Sequence, residues 1–170
     1  MATSDKYDRQ IRLWGAHGQH LLSSSRILLL GATAAGSEVL KNLILPGIKE
    51  FTIVDDSIVE QRDLGNNFFL TQDRLGESKA MVMCENLNEL NPDDVTGKYQ
   101  NMSIEQKLSE NGIWGMKYDL VIGSDLNNRQ ALLASAKCRY GDKKIPFVLL
   151  RQYGLVASLR LDLESVCVME

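Results

Sequence analysis

Residues 25–56 read SRILLLGATAAGSEVLKNLILPGIKEFTIVDD. An apolar run at Ile27–Leu30 leads into the turn Gly31-Ala-Thr-Ala-Ala-Gly36. A stretch with Val39, Leu40, Leu43 and Ile44 on one face follows, then a second apolar run that ends in Asp55 and Asp56. These periods spell strand, glycine turn, helix, strand. In an intact GxGxxG turn the first glycine permits the tight bend, the second lets bare backbone approach a phosphate, and the third packs the helix on the sheet. Gly31 and Gly36 keep the first and third tasks, but the second position is Thr33. A β-branched side chain there takes the space a phosphate would need. The stretch therefore predicts the fold of a nucleotide-binding unit with a degenerate site at Gly31, Thr33, Gly36 and Asp55. Asp55 lies 24 residues after Gly31, where a dinucleotide fold places the acid that hydrogen-bonds a ribose hydroxyl. The competing reading is that Asp55 and Asp56 close the strand in a polar turn.

Outside this unit, composition sets the bounds. With 170 residues and 44% hydrophobic content, a single domain spanning 1–170 is expected, with 1–25 as an N-terminal arm and helix. A net charge of −3, from acids and bases that alternate without a basic stripe, argues against nucleic acid as the partner. It gives no reason for a membrane surface, and the apolar runs fall far short of the ~20 residues that cross a bilayer. Met1–Arg12 is charged and has no apolar segment of a secretory signal. Cys84, Cys138 and Cys167 are odd in number, far apart and in no CxxC pair. They suit reduced thiols in cytoplasm or nucleus and speak against zinc.

Further strands are expected near Val95–Gln100, Asp119–Gly123 and Ile145–Leu150, with helices over Ala35–Leu45, Lys79–Leu90 and Asn127–Tyr140. Strands alternating with helices predict an α/β fold with a mostly parallel, doubly wound sheet. After Gly154, Leu155, Ala157, Leu159, Leu161 and Leu163 alternate with polar or smaller residues, which predicts a half-buried strand. The sequence stops at Glu170 just after that strand, and a sheet incomplete at its C-terminus is the expectation.

Three stretches carry candidate chemistry. In KYDRQIRLWG, residues 6–15, Tyr7, Ile11, Leu13 and Trp14 are expected to pin a short arm or helix while Arg9 and Arg12 project. An arginine held this way can stabilise charge on a phosphoryl group, although such a segment is more commonly a solvated terminus. In DLGNNFFLTQDRLGESKA, residues 63–80, Asn66 and Asn67 precede the aromatic anchor Phe68, Phe69 and Leu70; turn closure is favoured over ligand binding. Lys79 either meets a phosphate or lies on an exposed helix start, the commoner case.

In this order, YDRQIRLWG, the glycine turn followed by KNLILPGI, the strand ending in VDD and GNNFFL resemble the adenylation fold of ubiquitin-activating-type enzymes and their bacterial cofactor-biosynthesis relatives. ENLNELN and YGLVASLRL extend the resemblance over about Lys6 to Leu163. Within the family the likeness is strongest to the regulatory subunits of neddylation, with the SUMO-activating branch next. The resemblance implies a Rossmann-like adenylation domain that binds no cofactor itself and forms a heterodimer with a catalytic subunit. That partner uses Mg-ATP to adenylate a ubiquitin-like modifier and then forms a thioester.

The resemblance also bears on single positions. Where catalytic members carry an asparagine, then an asparagine and an arginine that contact ATP, this chain has Asp63, then Gly65 and Asn66. Lys79 matches the family's lysine near the phosphates, and Asp125 falls close to the acid near magnesium within a different surrounding motif. No cysteine matches the thioester-forming nucleophile. Arg9 occupies the place of an arginine that reaches across the interface to the partner's ATP, and is the candidate catalytic residue in trans. Two other classes stay open: an independent nucleotide enzyme using Gly31, Gly36 and Asp55, and a truncated interaction module without a catalytic role.

Overall fold

A computed structural model of the chain describes residues 6–110, 114–140 and 143–163. Cys167 and Glu170, on which two of the expectations above rest, lie outside the described residues.

The elements run α1 (Asp8–Ser24), β1 (Arg26–Leu30), α2 (Ala34–Ile44), β2 (Glu50–Val54), α3 (Lys79–Asn88), β3 (Thr96–Gln100), α4 (Ile104–Ser109), α5 (Trp114–Lys117), β4 (Leu120–Ser124), α6 (Asn128–Arg139), β5 (Phe147–Tyr153) and β6 (Val156–Asp162). Short 3₁₀ turns at Gln61–Asp63 and Gln72–Arg74 lie between β2 and α3. Six strands form one sheet in the order β3-β2-β1-β4-β5-β6. The first five are parallel and β6 returns antiparallel to β5. This is the doubly wound α/β arrangement expected from the sequence, and its strand order reverses between β1 and β4, the switch point where such sheets open a crevice.

Alternation along β1 builds the two cores. Ile27 and Leu29 face α2 and α3, where Leu40, Ile44, Met83 and Leu87 are fully buried. Leu28 and Leu30 face the other side, with Trp114, Tyr118 and Ala134. Burial on both faces explains why β1 reads as an uninterrupted apolar run rather than an alternating one. Gly31 has φ +97, and a Cβ there would overlap the Ser124 carbonyl oxygen at the end of β4. The first glycine of the turn is therefore required both for its conformation and for the closeness of two strands.

Two expectations need correction. The strand after Gly154 is not half-buried: both faces of β6 are largely exposed, with Leu159 and Leu161 at 62% and 56% of full exposure, and Leu155 lies in the turn before it at 106%. Among the described residues it is the edge strand of the sheet and pairs with β5. At the N-terminus, Leu13 does not pin α1, being 77% exposed. Tyr7 does so as expected, together with the polar Gln19. Gln19 accepts from Trp14 Nε1 at 3.1 Å and donates to the Pro46 carbonyl at 2.9 Å.

Candidate functional site

Above the switch point lies an open cleft of about 680 Å³, lined by Thr33, Ala34 and Ala35 from the start of α2, Glu38 from its first turns, Asp63 and Asn66 from the loop after β2, Lys79 at the start of α3, Asp125 after β4, and Gln152 and Gly154 near the β5–β6 turn. This is where a doubly wound sheet binds a nucleotide. Of the four degenerate-site candidates, Thr33 lines the cleft, whereas Gly31, Gly36 and Asp55 act behind it.

Each of these residues has a definite partner. Thr33 is the N-cap of α2, and its Oγ1 accepts the Gly36 N–H at 3.0 Å. The same hydroxyl is hydrogen-bonded to Ser124 Oγ, which ties the glycine turn to the end of β4. A helix N-terminus attracts phosphate through unsatisfied N–H groups, and here one of them is already satisfied by the side chain that replaced the glycine. Asp55 accepts from the Ala32 N–H at 2.8 Å and the Ser57 N–H at 2.7 Å, so its carboxylate closes the glycine turn and the loop after β2. Of its two readings, the polar-turn role is the one these bonds satisfy.

Lys79 is not on an exposed helix start. Its Nζ lies 3.0 Å from Asp63 Oδ2, and both side chains are less than one-fifth exposed. The reason is the aspartate at position 63, which pairs with it across the loop. Asp125 and Glu38, the latter paired with Lys41, line the same cleft, so its charged lining is three carboxylates and one lysine. Asp125 has φ +55, and its Oδ1 accepts the Gln152 N–H at 3.0 Å, linking the β4–α6 turn to β5. Asn67 is buried; its Oδ1 accepts from the Phe69 N–H at 3.1 Å and from Ser37 Oγ at 3.3 Å. It closes the turn and does not face the cleft. The aromatic anchor is divided: Phe69 is buried, whereas Phe68 is 83% exposed.

The N-terminal segment is held by a polar clamp. Tyr7 Oη donates to Asp94 Oδ2 at 2.7 Å, Lys6 Nζ lies 2.7 Å from the same oxygen, and Asn91 Nδ2 donates to Tyr7 Oη and to the Ile44 carbonyl, both at 3.0 Å. Gly47, at φ +88, makes room for the ring, since a Cβ there would lie 2.5 Å from Tyr7 Oη. The clamp grips beyond the C-terminal end of α2, whereas the cleft is at its N-terminal end. The 11 residues of α2 span ~16 Å, so Arg9, exposed and two residues from the clamp, points into solvent about one helix length from the chain's own cleft. Arg12 is also exposed and pairs with Asp8 at 2.8 Å.

Cys84 and Cys138 are buried, and burial pushes both thiols up to about 12. Neither is a thiolate near neutral pH. Among the described residues no group of three or more His, Cys, Asp or Glu is placed to hold a metal ion, and no helix is long and apolar enough to cross a membrane. Local sequence could not reveal Glu38, Gln152 and Gly154 as cleft residues. Glu38 sits on what reads as a solvated helix face, and the last two arrive through the β5–β6 return, which carries no ligand motif.

Sheet order, glycine turn and switch-point cleft define a doubly wound α/β domain of the nucleotide-binding type. The ThiF family profile matches residues 7–144, and the chain belongs to that family. It is 44% identical over 167 residues to the Nedd8-activating enzyme E1 regulatory subunit of Drosophila melanogaster, covering 98% of this chain and 31% of that protein. It is 45% identical to the Xenopus laevis NEDD8-activating enzyme E1 regulatory subunit (97% of this chain, 30% of that one) and 39% identical to the Arabidopsis thaliana regulatory subunit AXR1 (94% and 29%). The chain thus spans about a third of the length of these relatives. Among solved structures, E. coli MccB crystallised with succinimide superimposes with a TM-score of 0.75 at 19% identity, over 92% of this chain and 48% of that one, a likeness of fold.

Proposed function

We propose that this chain is the adenylation-fold portion of a regulatory, non-catalytic subunit of the heterodimeric enzyme that activates the ubiquitin-like modifier of neddylation. It binds no cofactor of its own and scaffolds a catalytic subunit that holds Mg-ATP, adenylates the modifier and forms the thioester, in cytoplasm and nucleus. The observation that carries this reading is the cleft: its capping threonine already accepts the Gly36 N–H, its lysine is paired with Asp63, and two further carboxylates line it. The relatives' names point to neddylation rather than to the SUMO branch. Arg9, held outward by the clamp and distant from its own cleft, is suited to reach a partner's ATP, where an arginine stabilises charge developing on the phosphates. Calorimetric titration of Mg-ATP tests the assignment of the nucleotide site. No saturable binding is expected to this chain alone, and one nucleotide per heterodimer when it is assembled with a catalytic subunit. Two nucleotides per heterodimer would overturn it.

A further inference from the structure

Helix α1 is not continuous. Gly15, at φ +76 and ψ 165, breaks it into a forward arm, residues 8–14, and a rear segment, residues 16–24. That backbone conformation is in practice open to glycine alone, and a Cβ there would meet nothing within 4 Å, so the glycine serves the bend and not a close contact. The arm adds little to the core: of its apolar residues, Ile11, Leu13 and Trp14, none is buried. Its cations are Arg9 and Arg12. Arg12 is taken by Asp8, and Arg9 forms no ion pair among the described residues.

An arm joined to the fold through a glycine would swing, yet this one is fastened on both sides of Arg9. In front, the Tyr7 carbonyl accepts the Ile11 N–H at 2.9 Å and starts the arm's first turn. The Tyr7 ring sits over Gly47, and its hydroxyl is held by Asp94 and Asn91. Behind, Trp14 folds back across the bend onto Gly18, where a Cβ would lie 2.8 Å from Trp14 Cδ1. Its Nε1 donates to Gln19, and Gln19 donates onward to the Pro46 carbonyl. Gln19 is 8% exposed with both ends of its amide bonded, so it works as a strut from the rear segment. Pro46 and Gly47 are adjacent, and both fastenings therefore land on the turn that follows α2. Directional bonds at two points fix an orientation that one anchor beside a glycine would leave free. They secure a segment whose own apolar burial is slight and whose exposed, unpaired group is Arg9.

We infer that Tyr7, Asp94 and Gln19 are positioning residues for Arg9: they set the direction in which the arm leaves Gly15, and with it the point at which the guanidinium meets a phosphate. This rests on the proposed role of Arg9 at a partner's ATP. The test is modifier-dependent ATP:pyrophosphate exchange by the assembled heterodimer, with three substitutions each made on native Arg9 and on Arg9→Ala. Tyr7→Phe keeps the ring over Gly47 and removes the hydroxyl's bonds; Gln19→Met keeps the chain length and removes both of the strut's bonds; Gly15→Ala alters the bend alone. Neither Tyr7 nor Gln19 belongs to the two hydrophobic cores, and circular dichroism with light scattering checks fold and assembly. On native Arg9 each substitution is expected to lower kcat about tenfold or more and to leave KM for ATP unchanged, because a misplaced group is lost mainly from the transition state. On Arg9→Ala the same substitutions are expected to cause no further slowing, since residues that act through one group are not additive with its loss. Equal slowing on both backgrounds overturns the inference, as it would show that these residues act on the fold or the assembly and not through Arg9. Native rates for all three, with Arg9→Ala still slow, overturn it and leave the role of Arg9 standing. A native rate for Arg9→Ala removes both.

Discussion

Thr33 stands where an intact glycine turn would offer bare backbone to a phosphate. As an N-cap it stabilises α2 through the Gly36 N–H, and a cap of this kind contributes about 1 kcal/mol. The substitution therefore keeps the helix seated on β1 while satisfying a donor that phosphate would otherwise meet. Gly31 has no such latitude, because its positive φ and its approach to Ser124 leave no space for a methyl group. Gly31→Ala is expected to destabilise the chain by on the order of 3 kcal/mol in urea unfolding, through strain and overlap acting together. A loss below 1 kcal/mol would mean that the turn relaxes. Sequence singled out Thr33, since side-chain bulk at a known glycine position is a local property, but its bond to the Gly36 N–H is seen only in the structure. It did not make the Lys79–Asp63 pair legible, because two residues 16 apart meet across a loop whose path is set by Asn67 and the 3₁₀ turns.

Strands and helices were readable where burial is one-sided or complete. β1 falls on the apolar run that leads into Gly31, and the apolar face of α2 is the one the period marked. β6 misled because alternation reports a face suited to burial, not a neighbour present to bury it. The clamp on α1 escaped for a different reason: polar groups from Lys6, Tyr7, Asn91 and Asp94 converge from positions more than 80 apart. Its pH dependence follows from these contacts. Hydrogen bonds from Lys6 and Tyr7 hold the Asp94 carboxyl below the usual aspartate range. The bond to Asp94 raises Lys6, and burial raises the Tyr7 hydroxyl. The contribution of Asp94 is complete above the ordinary carboxylate pKa of ~4 and is lost as pH falls through its lower folded value. The contributions of Lys6 and Tyr7 are complete below ~10 and are lost as pH rises through their raised values. The Asn91 side-chain amide resonance, which reports on Tyr7, should stay constant between pH 5 and 9 by NMR and move below ~4. A transition near neutrality would contradict this account.

At the scale of the whole molecule, α2 is the spacer that separates two ends with different tasks. At one end is the cleft, where Thr33 caps α2 and Asp63 pairs with Lys79. At the other, the Tyr7 clamp holds Arg9 outward. The sequence carried the doubly wound order through its alternation of strands and helices, and the clamp joins the YDRQ and LPGI stretches, with Gly47 the seat of Tyr7. In the proposed function such a domain acts through an assembly. The most direct measurement is modifier-dependent ATP:pyrophosphate exchange by this chain, by a catalytic subunit and by the two mixed, with native Arg9 and with Arg9→Ala. The account predicts exchange in the mixture alone, slowed on the order of 10³-fold by Arg9→Ala. Exchange by this chain on its own, or an unchanged rate for the Arg9→Ala heterodimer, would contradict it.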